Sequence, residues 1–181
     1  MDKTVILLID FIGHDILAGE YVKNLRYSTL QSILQEPHDK DKNIVVSIGS
    51  SCWDPKLKEM KTMATHDKWK WLEIVNHKVD VETIEKQVKE KLNFHMNNTD
   101  TRILIGGCNT SGCVLKSKLS SAKYFSKKYN TTILLPMCAE YQAHGINDIE
   151  KNMRAFARIF KYAKKEKLDI NVAEFDDLMT Y

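Results

Sequence analysis

Three places in this chain carry side chains able to break a polar bond. Asp10 closes the apolar run 5–9, His77 and Lys78 follow the run 72–75, and Cys113 lies in "GGCNTSGCV", just after Ile103–Ile105. A carboxylate placed directly after five apolar residues is partly desolvated, which raises its pKa and makes it a general base. A helix cap or turn residue is the other reading of Asp10. A thiol where a strand turns into a helix meets the positive end of the helix dipole and unpaired backbone N–H groups. These lower its pKa, and the same N–H groups can hold an oxyanion. The other reading of Cys113 is a buried structural cysteine, the usual state of a free thiol. Lys78 taken alone is an ordinary surface lysine, and His77 competes with it for the same role. Cys108 reads as a packed residue, and its spacing from Cys113 is not the C-x-x-C of common zinc or redox sites. With Cys52 and Cys138 also near strand ends, a four-cysteine metal site is the minor alternative.

The elements that would position these groups are legible as apolar periodicity. Runs at 4–9, 43–48, 72–75, 102–106, 131–136 and, more weakly, 169–175 are short, β-rich and nearly continuous rather than alternating. Such runs predict strands buried on both faces of a parallel sheet. Helical spacing lies between them, at 20–35, 81–94 and 147–165, with a shorter stretch at 55–64. Asp80 is placed to cap the second of these. A further helix is predicted from the turn at Ser111–Cys113 onward, carrying Leu115, Leu119, Ala122, Phe125 and Tyr129. Strands alternating with helices imply right-handed crossovers, hence one three-layer α/β/α domain over 1–181 with a doubly wound, mainly parallel, Rossmann-like sheet. Ligands of such sheets sit beyond the carboxyl ends of the strands, where strand order reverses. All three chemical positions stand just after strands.

Composition narrows the function classes. The formal charge of +3 is too mild to argue for nucleic acid, and Lys116, Lys118, Lys123, Lys127 and Lys128 read as a solvated helix face. Four cysteines are a cytosolic level of usage rather than a disulfide scaffold. No stretch approaches the ~20 apolar residues of a membrane span, and the first apolar run is too short for a signal-peptide core. The expectation is a cytoplasmic protein with no membrane or nucleic-acid partner.

Taken together, "VILLIDF" with Asp10, "GCNTSGCV" from Gly107 through Thr110 and Cys113 to Val114, and Lys78, 35 positions before Cys113, resemble the isochorismatase-like hydrolase superfamily. The resemblance is to its cysteine amidohydrolase branch, which includes nicotinamidases and carbamoylsarcosine-type amidases. It spans about residues 4–160, and "LLPMCAEYQA" resembles the segment bordering the pocket. It implies an Asp10–Lys78–Cys113 triad that cleaves an amide or ureido C–N bond of a small molecule through a thioester. It also implies oxyanion donors at Asn109, Thr110 and Cys113, a cis peptide near Asn109–Thr110, and a homo-oligomer, dimer or tetramer. His14, Trp53, Glu140 and Tyr141 are the candidates for substrate contact. Metal-bearing nicotinamidases show Asp-x-His after the second strand, whereas here Asp54 is followed by Lys56 two places on, and His66 cannot restore the pair alone. No metal and no cofactor are therefore expected. A metabolite- or partner-binding protein on the same fold, without turnover, is the alternative.

Overall fold

The apolar runs become six strands: β1 Lys3–Ile9, β2 Asn43–Ile48, β3 Lys70–Ile74, β4 Thr101–Cys108, β5 Asn130–Ala139 and β6 Ile170–Ala173. The computed structural model describes residues 3–11, 20–35, 39, 41–66, 69–140, 148–167 and 170–173. The strands form one sheet in the order β3-β2-β1-β4-β5-β6, and every neighbouring pair is parallel.

Period-two geometry explains why the strands lack polar alternation. Val5, Leu7 and Ile9 of β1 enter one core with Val46, Ile48, Ile103 and Ile105. Ile6 and Leu8 enter the other with Val45, Leu104 and Leu134. Helices cover both faces. On the second face lie α1 Glu20–Gln35 and α2 Pro55–His66, through Tyr27, Leu30, Leu34, Leu57 and Met60. On the first lie α3 Val81–Leu92, the one-turn α4 Ala122–Phe125 and α5 Asp148–Glu166, through Ile84, Val88, Phe125 and Ile159. Asp80 caps α3 as predicted, its Oδ1 accepting the Thr83 N–H at 2.8 Å. Asp54 does the same for α2, accepting the Leu57 N–H at 2.8 Å.

The helix expected to run from the cysteine turn to Tyr129 does not form as one piece. Residues Thr110–Ser117 make a wide π-helical turn, in which the Asn109 carbonyl accepts from both the Gly112 and Val114 N–H groups. Lys118 then leaves helical geometry (φ −94°, ψ 147°), and only α4 follows. A π turn carries an extra residue per turn and is a frequent feature of functional sites. Here it buries Val114 and Leu115 while Lys118 doubles back toward β1.

Strand order reverses between β1 and β4. Ile9 pairs with Ile48 on one side and Gly107 on the other. A Cβ on Gly107 would run into the Ile9 carbonyl, so glycine lets the two central strands close up where the crevice opens. Asp10 and the Cys113 turn leave the sheet on opposite lips of that crevice.

Candidate active site

Asp10 is set by backbone first. It takes a left-handed conformation (φ 48°), which few residues other than glycine, asparagine and aspartate adopt. Its N–H donates to the Ile48 carbonyl at 3.1 Å. The next N–H, from Phe11, donates to Ser51 Oγ, which itself donates to the Leu8 carbonyl at 3.0 Å. Ser51 belongs to a 3-10 turn, Gly49–Trp53, that follows β2. From the same turn the Ser50 N–H donates to Asp10 Oδ1 at 3.1 Å. Gly49 (φ +67°) has no Cβ, and one placed there would collide with Asp10 Oδ1 and His77 Nδ1.

Among the described residues, two cationic or ionisable side chains pair with Asp10. Lys118 Nζ lies 3.2 Å from Oδ2, and His77 Nδ1 lies 3.1 Å from Oδ1. Lys118 Nζ is also 3.1 Å from His77 Nδ1, closing a triangle. The Asp10 and Lys118 side chains are 14% and 20% exposed, and that of His77 is 46% exposed. Burial alone would raise the Asp10 pKa. The Ser50 N–H, the Lys118 ammonium and His77 outweigh it and hold the carboxyl below its ordinary value. The sequence expectation of a raised pKa is thus reversed by donors that apolar context alone did not reveal.

Lys78 was expected to supply the amine. Its side chain is not among the partners of Asp10 in the described residues. Lys78 is exposed, and its backbone N–H donates to Asn76 Oδ1 at 2.9 Å in the loop after β3. The amine beside Asp10 comes instead from Lys118, which sequence reasoning placed on a solvated face. The break in the helix brings it there, and no periodicity signal announced that break.

Cys113 is half-buried on the π turn, near enough to Asp10 and Lys118 for the charges of both to act on its thiol. Asn109 holds a left-handed conformation (φ 56°) and reaches the sulfur with Nδ2 at 4.0 Å. Burial, then the negative charge of Asp10, pushes the thiol up to about 11, against the opposing pull of Lys118. The lowered pKa expected from a helix N-terminus does not arise in the free protein. No cis peptide occurs among the described residues, so the bonds around Asn109 and Thr110 are trans. Thr110 is fully buried, and its Oγ1 has no hydrogen-bond partner among the described residues.

Glu140, expected at the substrate, braces the turn. It is buried, and its Oε2 accepts from the Ser111 N–H at 3.0 Å and from Ser111 Oγ at 2.6 Å. Trp53 ends the 3-10 turn, 64% exposed, with Lys58 Nζ 5.7 Å from its ring centre. His14 and Tyr141 lie outside the described residues. All four cysteines are free. Cys108 is packed as expected, yet it also accepts from the guanidinium of Arg26 at 2.6 Å, an α1 side chain buried over the Phe11 ring. No group of His, Cys, Asp and Glu suited to holding a metal occurs among the described residues.

No family model matches the sequence, and no curated protein matches it. Solved structures do share the fold. An isochorismatase-like hydrolase from Alkaliphilus metalliredigens superposes with a TM-score of 0.58 at 14% identity, covering 98% of each chain. A putative MAR1 ribonuclease from Leishmania major gives 0.60 at 9% identity, over 97% of this chain and 80% of that one. Identities this low speak for the architecture alone. No helix among the described residues is long and apolar enough to cross a membrane.

Proposed function

We propose that this chain is a hydrolase of the isochorismatase-like kind, which cleaves an amide or ureido C–N bond of a small molecule through a thioester on Cys113. The observation that carries the reading is the convergence of Cys113, Asp10 and Lys118 at the crevice between β1 and β4. An acid from the end of β1, with an amine and a thiol from the turn after β4, supplies the groups that covalent acyl transfer requires.

In the resting site the proton sits on sulfur and Asp10 is ionised. A thiol this weakly acidic does not ionise ahead of the reaction, so proton transfer to Asp10 accompanies S–C bond formation. Lys118 offsets the negative charge shared by carboxylate and sulfur. Backbone N–H groups of the turn 109–113 hold the oxyanion, other than those of Ser111 and Gly112, which Glu140 and the Asn109 carbonyl occupy. As the tetrahedral intermediate collapses, the C–N bond breaks and the proton on Asp10 passes to the leaving nitrogen. Water then loses a proton to Asp10 as it attacks the thioester, the C–S bond breaks, and that proton returns to sulfur. The lysine role passes from Lys78, as the resemblance had it, to Lys118.

One observation favours a second reading, binding without turnover: the free site holds its thiol neutral. A panel of simple amides and ureides separates the two. Ammonia or amine release that disappears in Cys113→Ala is expected for the hydrolase. Ligand-induced thermal stabilisation with no release is expected for a binding protein.

A further inference from the structure

His77 Nδ1 stands 3.1 Å from Asp10 Oδ1 and 3.1 Å from Lys118 Nζ. One nitrogen cannot serve both neighbours in the same protonation state. Ionised Asp10 only accepts, so that contact needs a proton on Nδ1. The Lys118 ammonium only donates, so that contact needs a bare Nδ1. We propose that His77 is a positioning residue whose Nδ1 proton decides whether Lys118 is shared with the imidazole or left wholly to Asp10 and Cys113. The proposal rests on the hydrolytic reading of the site and adds its regulation by protons.

With Nδ1 bare and the proton on Nε2, Lys118 divides its donors between His77 and Asp10. With both ring nitrogens protonated, Nδ1–H donates to Asp10 Oδ1 and repels Lys118. The site then holds one more positive charge beside the thiol, which favours thiolate. Two features show that the triangle is built rather than incidental. Gly49 lacks the Cβ that would occupy the place of both Asp10 Oδ1 and His77 Nδ1. The Ser50 N–H, from the 3-10 turn after β2, fixes the same Oδ1. The charged and titratable groups that face His77 are Asp10 after β1 and Lys118 after the π turn, with Cys113 beyond Asp10 and Lys78 adjacent in its own loop.

The test is the rate of Cys113 alkylation by iodoacetamide from pH 5 to 9, read by peptide mass spectrometry on the full chain and on His77→Gln. In the wild type, the logarithm of the rate should bend within this range, with the acid limb about fivefold or more above the line extrapolated from higher pH. His77→Gln, which keeps a polar side chain that does not titrate, should give a straight line. A straight wild-type profile, or the same bend in His77→Gln, overturns the proposal. Retained circular dichroism guards against a misfolded variant, and the wild-type profile decides on its own if the variant fails. Alkylation needs no substrate, so a protein that hydrolyses nothing but shows the bend loses the hydrolase reading alone. An active hydrolase with a straight profile loses the histidine alone.

Discussion

Asp10 and Lys118 face each other at 3.2 Å across the crevice between β1 and β4, although 108 residues of sequence separate them. One closes the first strand and the other ends the π turn that carries the thiol. Acid, amine and nucleophile thus depend on two turns rather than three, and the loop after β3 contributes a histidine instead of a lysine.

The two lysines should separate cleanly on substitution. Lys118→Met is expected to lower kcat/KM by about 10²-fold or more, the scale set by removing one electrostatic stabiliser of a transition state. Lys78→Met should stay within about twofold, as an exposed surface change does. Steady-state kinetics on whichever amide the wild type cleaves makes the comparison.

Gly49→Ala places a methyl where Asp10 and His77 meet, at a φ of +67° that alanine tolerates poorly. The expected outcome is a stability loss of about 1–3 kcal/mol in denaturant unfolding, together with loss of Cys113-dependent activity. Gly112→Ala, on the π turn, should leave the contact of Asp10 with His77 in place.

The thiol supplies a pH dependence of stability. Its folded pKa is raised to about 11, whereas an unfolded cysteine ionises near ~8.5. The unfolded state therefore releases its proton first. The contribution is fully present below the unfolded value and is lost as pH rises through the folded one. Thermal unfolding from pH 7 to 11 should show this decline in the wild type, and Cys113→Ala should make it shallower, leaving the part that the raised thiols of Cys52 and Cys138 contribute. Asp10 acts at the other end, because a lowered folded pKa gives stability that is lost as pH falls through it.

Glu140→Gln removes the charge from the carboxylate that accepts both the Ser111 N–H and its hydroxyl. A cost of about 1–2 kcal/mol is expected, since a buried charge-assisted pair is reduced to a neutral one. Turnover should fall with it while KM stays close to that of the wild type, because the turn is braced by Glu140 rather than the substrate bound by it. Calorimetry and steady-state kinetics on the same preparation check both halves.

Much of the architecture was legible because it depends on burial alone. The runs at 4–9 and 43–48 become β1 and β2 within one residue at each end, since a strand covered on both faces has no polar alternation to blur its limits. Asp10 and Cys113 were legible for a related reason, as polar residues placed just beyond such runs. Lys118 was not. Its position depends on a π turn in place of a continuous helix, and Leu115, Leu119, Ala122, Phe125 and Tyr129 fit helical spacing whether or not the helix breaks. The sign of both site pKa values was also out of reach. Apolar flanks report desolvation, whereas the Ser50 N–H and Lys118, which pull Asp10 down, arrive from distant segments. His77 and Lys78 are neighbours in sequence, and only the turn after β3 decides which of them faces the carboxylate.

The most direct measurement is mass spectrometry of the protein quenched in acid during turnover of an amide or ureide panel. A mass increase equal to the acyl group, mapped to the peptide holding Cys113 and missing in Cys113→Ala, is the expected result. Hydrolysis that persists in Cys113→Ala, or an acyl group found on any other residue, would contradict a nucleophilic thiol at the crevice.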